Sequence, residues 1–133
     1  MQSRTTRELL EEFAAAWNAH DVDRLLACMT DDAVFYGAAG PAPDGSARRG
    51  RAQLREAFAA IWRHHPDARW ADAVHGIDGD RAFSEWTFSG TSADGKRVEV
   101  RGCDLFRFRG GLIAVKDTFR KQVVAGDATR SDR

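Results

Sequence analysis

The stretch VEVRGCDLFRF at residues 98–108 alternates between two sets of side chains, which is the pattern of a half-buried β-strand. Its apolar face carries Val100, Gly102 and Phe106, with Asp104 in the middle. Burying a lone carboxylate is costly, so such an acid either points into a cavity or is paired inside the core. The stretch therefore predicts a pocket with one titratable group in its lining.

Further strand patterns lie on both sides of this stretch. We expect strands over residues 70–75, 81–91, 96–109 and 112–121, with turns at 76–79, 92–95 and 110–111. Strict alternation along the last strand places Asp117 on the same side as Ile113, Val115 and Phe119. Asp117 is therefore a second acid that we expect to face the interior.

The first half of the chain has helical spacing instead. We expect one helix capped by Thr5 or Thr6, a short one capped by Asp21, and a third from Arg51 to about His64. Helices followed by an antiparallel meander indicate an α+β fold with the helices on one side of the sheet. Residues 1–124 are expected to form one domain, followed by a polar tail at 125–133.

A strand at residues 33–36 leads into residues 37–50, which contain four glycines and two prolines. This composition does not favour a regular element, so we expect a loop. Because it follows the first strand directly, the loop is a candidate lid over the mouth of the predicted cavity.

Three segments carry a family resemblance. DLFRFRGGLI at residues 104–113 looks like the late-strand pattern of the NTF2-like superfamily, especially its SnoaL-like polyketide cyclase and ketosteroid isomerase branches. FAAAWNAHDVD at 13–23 and LLACMTDDAVF at 25–35 resemble the opening helices and first strand of that superfamily. The resemblance covers about residues 7–121. It implies a cystatin-type α+β barrel, in which a cone-shaped, curved, largely antiparallel mixed sheet packs against three helices from the N-terminal half.

The resemblance also implies catalytic roles for individual residues, and the positions that depart from the family pattern limit which reactions are expected. In the ketosteroid isomerases the position of Asp104 carries an acid that stabilises an oxyanion, but Phe13 stands in place of their tyrosine and Gly37 in place of their carboxylate base. Loss of that base argues against a straight steroid isomerase. A position like Asp117 holds a catalytic acid in the limonene epoxide hydrolases, yet residues 84–87, SEWT, lack their Arg-x-Asp pair.

Asp104 and Asp117 are the candidate catalytic residues, because two acids facing one cavity can act as proton donor and acceptor. His75, near a strand end, is a further cavity candidate that could serve as a base near neutral pH. Each has a structural alternative: Asp104 tied to an arginine or a backbone amide, Asp117 in a salt bridge to a neighbouring strand, and His75 at the surface.

A heavy aromatic load supplies candidates for the lining of a pocket that takes a small apolar or aromatic ligand. These candidates are Phe13, Trp17, Tyr36, Phe58, Trp86, Phe106 and Phe119. Trp17 and Phe58 are also candidates for anchoring helices on the sheet. Tyr36 would add a polar group to the pocket.

Composition excludes several other classes. The formal net charge is zero and no basic stripe occurs, so nucleic acid is not an expected partner. No apolar run approaches the ~20 residues that span a bilayer, so we expect a cytoplasmic protein. Cys28 and Cys103 are isolated, and His64-His65 has no ligand-spaced acid, so neither a metal nor another cofactor is expected.

The sequence favours two functional interpretations over a third, a protein-docking adaptor, because no exposed apolar stripe stands out. The first is an enzyme that transfers a proton in the cyclisation or isomerisation of a small apolar or polyketide-like substrate. The second is a non-catalytic ligand-binding or dimerisation module. In either case the charged face of residues 97–109 is expected to be solvated or to form a homodimer through the sheet.

Overall fold

The computed structural model describes residues 4–124, and within this range it contains three helices and six strands. In chain order these are α1 (Thr6–Asn18), α2 (Val22–Ala27), β1 (Met29–Ala42), β2 (Gly45–Arg49), α3 (Gly50–His64), β3 (Arg69–Asp78), β4 (Arg81–Thr91), β5 (Arg97–Arg109) and β6 (Leu112–Arg120). No helix in this range is long and apolar enough to cross a bilayer. The predicted tail at 125–133 lies outside the described residues.

All six strands form one curved, unclosed sheet in the order β2-β1-β6-β5-β4-β3. Neighbouring strands are antiparallel except β1 and β6, which run parallel in the interior of the sheet. The helices pack on one face, which we call the inner face, and the opposite one is the outer face. The predicted α+β class with a mixed sheet is confirmed.

The helix starts follow the predicted caps. The Thr5 hydroxyl accepts a hydrogen bond from the Glu8 amide at 3.1 Å, and the Glu8 carboxylate accepts one from the Thr5 amide at 2.8 Å. Asp21 accepts from the Arg24 amide at 3.1 Å and so starts α2. At the end of α1, Asn18 exchanges two hydrogen bonds with the backbone of Trp70, which fixes the helix against β3.

The core between the helices and the inner face is aromatic. Trp17 lies 4.9 Å from Phe58 between ring centroids, Phe35 lies 5.2 Å from Phe58, and Phe13 lies 5.8 Å from Phe106. Phe58 is completely buried at the centre of this group. Replacing such a residue with alanine costs about 3–5 kcal/mol, because lost transfer energy and a new cavity add together.

The prediction of a loop at residues 37–50 is wrong. Strand β1 continues to Ala42, and β2 pairs with it as an antiparallel hairpin. Gly45 has a φ of +84°, and a Cβ there would lie 1.9 Å from the Gly37 carbonyl oxygen. The glycines that suggested a loop are instead the residues that allow two backbones to approach closely, so no free lid lies here.

Two bulges decide which side chains face inward. In β6, Arg107 pairs with Val115 and Phe108 with Ile113, so Ala114 has no partner. A single extra residue moves every later side chain to the other face. In β3 the register shifts between Ala71 and Val74, with Asp72 at a φ of 58°.

Candidate functional site

A cavity of about 340 Å³ lies between the inner face, helix α1 and the start of the β1–β2 hairpin. Its lining is mainly aromatic, with small side chains from α1 and β1 between the rings. The aromatic residues are Phe13, Trp17, Phe35, Trp70, Trp86 and Phe106. The volume falls within the range typical of small-molecule pockets, and the rings offer flat contact surfaces.

Asp104 lies in this lining and is almost fully buried. Its Oδ1 atom is 2.8 Å from Lys116 Nζ and 2.6 Å from Thr118 Oγ1, and its Oδ2 atom accepts from Trp86 Nε1 at 3.0 Å. Three donors therefore converge on the two oxygens. All three partners donate, so this arrangement suits a carboxylate that acts only as an acceptor.

Lys116 is as buried as its partner, with side-chain exposures of 5% and 7% for Lys116 and Asp104. A buried ion pair is retained only where geometry and extra hydrogen bonds offset desolvation. The Lys116 ammonium also donates to Thr118 Oγ1 at 2.7 Å and lies 4.7 Å from the Phe35 ring centroid. Two of its three N–H groups are thus engaged, which leaves one available at the aromatic lining.

A second polar group lies on the same inner face. His75 Nδ1 is 2.6 Å from Ser84 Oγ, and Ser84 is buried. Burial lowers the pKa of His75, with a further small decrease from the Arg7 charge. A lowered pKa keeps the imidazole neutral near pH 7, which is the form that accepts a proton.

The two groups form one row across the sheet. His75 pairs in register with Ser84, Ser84 with Asp104, and Asp104 with Thr118. Paired residues on adjacent strands place their side chains about 5 Å apart on one face. Four polar side chains from β3, β4, β5 and β6 therefore cross the inner face in a line below the aromatic rings.

Gly102 explains how Trp86 reaches Asp104. Trp86 and Gly102 are register partners, and a Cβ on Gly102 would lie 2.5 Å from Trp86 Cη2. The indole therefore lies flat across β5 where a larger residue would displace it. This contact directs Trp86 Nε1 toward the carboxylate.

Six of the predicted site residues come together in the cavity. They are Phe13, Trp17, His75, Trp86, Asp104 and Phe106. Asp104 has the buried-pair environment that we considered as an alternative, although its partner is a lysine and not an arginine or a backbone amide.

The prediction that Asp117 faces the interior is wrong. The unpaired Ala114 shifts the alternation, so Lys116 takes the inner face and Asp117 the outer face, where it pairs in register with Leu105. Its pKa is raised by partial burial and, to a lesser degree, by the charges of Asp44 and Asp104. The expected pair of Asp104 and Asp117 in one cavity does not form.

Three aromatic pocket predictions are also wrong. Phe119 follows Asp117 onto the outer face and is 52% exposed. Tyr36 stands next to inward-facing Phe35 on β1 and therefore points to the other face. Phe58 is in the core, where Trp17 and Phe35 cover it and separate it from the cavity.

The sequence patterns missed several lining residues. These are Phe35, Trp70, Ser84, Lys116, Thr118 and Arg120. The β6 residues were missed because Ala114 carries no bulge signal such as glycine. One usable signal existed, since a buried Asp104 requires a cation and Lys116 lies on the next strand.

Within 4–124, no group of three or more His, Cys, Asp or Glu side chains is placed to hold a metal ion. Cys28 and Cys103 are both free thiols.

Comparison with known proteins gives a family model and a set of similar structures. A SnoaL-like domain model matches residues 10–116. None of the curated proteins matches the chain significantly. An NTF2-like protein of unknown function from Mesorhizobium loti is 30% identical, with a TM-score of 0.72 over 88% of this chain and 91% of that chain.

Two further structures are similar at lower identity. A candidate polyketide cyclase from Pseudomonas putida KT2440 is 24% identical, with a TM-score of 0.74 over 92% of this chain and 94% of that chain. TerC, co-crystallised with polyporic acid, is 19% identical, with a TM-score of 0.74 over 87% and 91% of the two chains. The predicted NTF2-like cone fold is confirmed.

Proposed function

Because this chain belongs to the SnoaL-like domain family, we propose that it binds a small, flat, mainly apolar molecule in its cone and transfers a proton on it. The observation that supports this proposal is the meeting of His75 and the Lys116–Asp104 pair in one aromatic cavity. The class of reaction is enolisation, as in an isomerisation or an intramolecular cyclisation.

The proposal that the cavity binds a flat ligand is supported by the aromatic side chains that line it. Rings on opposite sides of a 340 Å³ cavity can hold one to three fused rings of a ligand between them. The similar structures include a candidate polyketide cyclase and a protein co-crystallised with polyporic acid. A polycyclic or aromatic ketone is therefore the substrate class that we propose.

Proton transfer is assigned to His75. When Nδ1–H donates to Ser84 Oγ, the Nε2 lone pair is left as the base. Phe13 lines the cavity without a hydroxyl group and Gly37 has no carboxylate, so neither can replace the acid–base groups of the isomerase resemblance. The proposed base, His75, therefore lies on β3, whereas the position that matches the base of the ketosteroid isomerases, Gly37, lies on β1.

Lys116 is assigned to the developing enolate. Its remaining N–H group provides a fixed positive charge in a site with little water, where such a charge is most effective. Asp104 acts through Lys116 by holding the ammonium at 2.8 Å, so it is a positioning residue. This assignment replaces proton transfer by Asp104 itself.

The test uses 2-tetralone, a flat ketone with acidic C–H groups next to its carbonyl. We expect the protein to accelerate exchange of these hydrogens in deuterated buffer, measured by NMR, and His75→Gln to lower the rate about 10²–10⁴-fold. His64→Gln is the matched control, because His64 is exposed at the end of α3 outside the cavity.

The non-catalytic alternative makes a different prediction in the same experiment. If 2-tetralone binds but the wild-type protein does not accelerate its exchange, the cavity is a binding site only. If the protein accelerates exchange and His75→Gln does not lower the rate, the assignment of His75 as the base is refuted. If 2-tetralone does not bind, the proposal of a ketone substrate fails.

We also propose that the outer face forms a homodimer. Phe83, Leu105 and Phe119 are apolar and at least 40% exposed there, next to the opposite charges of Arg107 and Asp117. A face with both charges can pair with its own copy across a twofold axis. Sedimentation should show a dimer that Leu105→Asp converts to a monomer, whereas Ala52→Asp, on the exposed side of α3, leaves it unchanged.

A further inference from the structure

The cavity lining carries an unequal set of charges. One carboxylate, Asp104, faces two cations, Lys116 and Arg120, which the bulge at Ala114 turns to the same side. Asp104 and Lys116 are paired at 2.8 Å and cancel each other. With His75 neutral, Arg120 is the lining charge that has no counterpart.

Arg120 is held in place without an acid. Its guanidinium carbon lies 4.8 Å above the Phe88 ring centroid, which orients the planar group at the cavity. Among residues 4–124, no carboxylate oxygen lies within 4 Å of Arg120, whereas six other arginines there have such a partner. Partial burial lowers the pKa of Arg120, so the guanidinium has lost part of its hydration.

Arg120 also stands where the sheet opens. The pairing of β1 with β6 ends at Tyr36 and Asp117, and beyond it the two strands separate. Ala38, Thr118 and Arg120 line both the inner cavity and a groove on the outer side. A ligand group beside Arg120 would therefore lie at an opening of the cavity.

From this charge arrangement we infer that the ligand is an anion whose carboxylate, or comparable acidic group, pairs with Arg120. The inference rests on the proposed binding of a flat ligand and specifies its chemistry. Planar guanidinium and carboxylate groups match in a two-hydrogen-bond geometry. Arg120 lies four residue steps along β6 from Lys116, about 13 Å at strand spacing. The acidic group therefore lies at the opposite end of the ligand from the carbonyl that meets Lys116 and His75, which requires two to three rings.

The test compares two ligands of the same shape, 2-naphthoate and 2-naphthamide, by isothermal titration calorimetry. We expect the wild-type protein to bind the carboxylate about tenfold more tightly than the neutral amide, with a smaller preference at high salt. Arg120→Gln should bring the two affinities to within about twofold of each other, mainly by weakening naphthoate. Arg69→Gln, an exposed arginine at the start of β3 outside the cavity lining, should keep the preference.

The remaining outcomes overturn the inference in separable ways. Equal wild-type affinity for the two ligands, or a preference that survives Arg120→Gln, refutes the role of Arg120 while the proposed aromatic site still stands. If neither naphthalene binds and 2-tetralone does not bind either, the proposed function fails and the inference fails with it. Arg120 is only partly buried and has no ion-pair partner among residues 4–124, so Arg120→Gln should fold normally, which circular dichroism checks.

Discussion

Asp104 and Asp117 lie on neighbouring strands of one sheet, yet they have opposite surroundings. On the inner face, Asp104 is buried with Lys116, Thr118 and Trp86 donating to it. On the outer face, Asp117 has no Lys, Arg or His nitrogen of residues 4–124 within 4 Å, and partial burial raises its pKa. One unpaired residue, Ala114, therefore decides which of the two acids lies in the cavity and which lies outside it.

The largest effect on stability is expected from removing Lys116, the counter-charge of Asp104 on the inner face. Lys116→Met leaves the Asp104 carboxylate buried without a cation, and we expect the free energy of unfolding to fall by about 3–5 kcal/mol. Urea unfolding measures this change. The double variant Asp104→Leu with Lys116→Met removes both charges and should recover most of the loss, and failure to recover would show that packing and not charge causes it.

A smaller loss is expected from Gly102→Ala. The added Cβ would meet Trp86 Cη2 at 2.5 Å and the Phe119 carbonyl at 2.6 Å, so the indole must move away from Asp104. Overpacking of this kind costs about 1–3 kcal/mol. Near-ultraviolet circular dichroism should change together with stability. Cys103→Ala, one residue along on the outer face, is the control and should change neither by much.

The burial of His75 leads to a prediction of how the free energy of unfolding depends on pH. In the folded protein burial holds its pKa below the ordinary value of 6.5, which the unfolded chain regains. Below pH 6.5 the unfolded state therefore takes up more protons, and the free energy of unfolding falls as the pH falls toward the folded pKa. In unfolding experiments between about pH 7.5 and 5, His75→Gln should make the decrease in the free energy of unfolding with falling pH shallower.

A residual slope is still expected in that variant, because burial and the Arg120 charge also lower the pKa of His65. Exposed His64 lies outside the cavity, and His64→Gln is the matched control for the substitution itself. It should affect the slope only through the minor contribution of the His64 charge to the lowered pKa of His65. An unchanged slope in His75→Gln would contradict a neutral, buried His75.

The smallest effect is expected on the outer face. Because the folded state raises the pKa of Asp117 above the usual 3.8, its charge opposes folding as the pH rises through that range and beyond. Asp117→Asn should therefore raise the free energy of unfolding at pH 7, by about 0.5 kcal/mol or less. A loss comparable to that of Lys116→Met would mean that the two faces do not differ as described.

The sequence predicted the elements whose patterns are regular. Alternation over residues 98–108 correctly placed Asp104 on the inner face, and Thr5 and Asp21 cap their helices as expected. These signals are local, since a strand repeats every two residues and a cap needs only its own turn.

The failures arise where a local rule meets a constraint from elsewhere in the fold. Residues 37–50 have loop composition, but the neighbouring strand makes their glycines part of a hairpin. Ala114 has no feature of a bulge, and only its pairing with β5 reveals it. The chemistry of the site depends on that bulge, so Lys116 and Arg120 could not be assigned from alternation alone.

The parallel pairing of β1 with β6 has a consequence for how the protein is made. Met29 pairs with Ile113, so this interior pairing of the sheet joins segments that are far apart in the chain. Contacts of such long range slow folding, because a large loop must close first. On the ribosome, Asp104 is synthesised before Lys116, so a nascent chain that ends between them holds an acid without its counter-charge. The inner face can therefore be completed only after almost the entire domain has been translated.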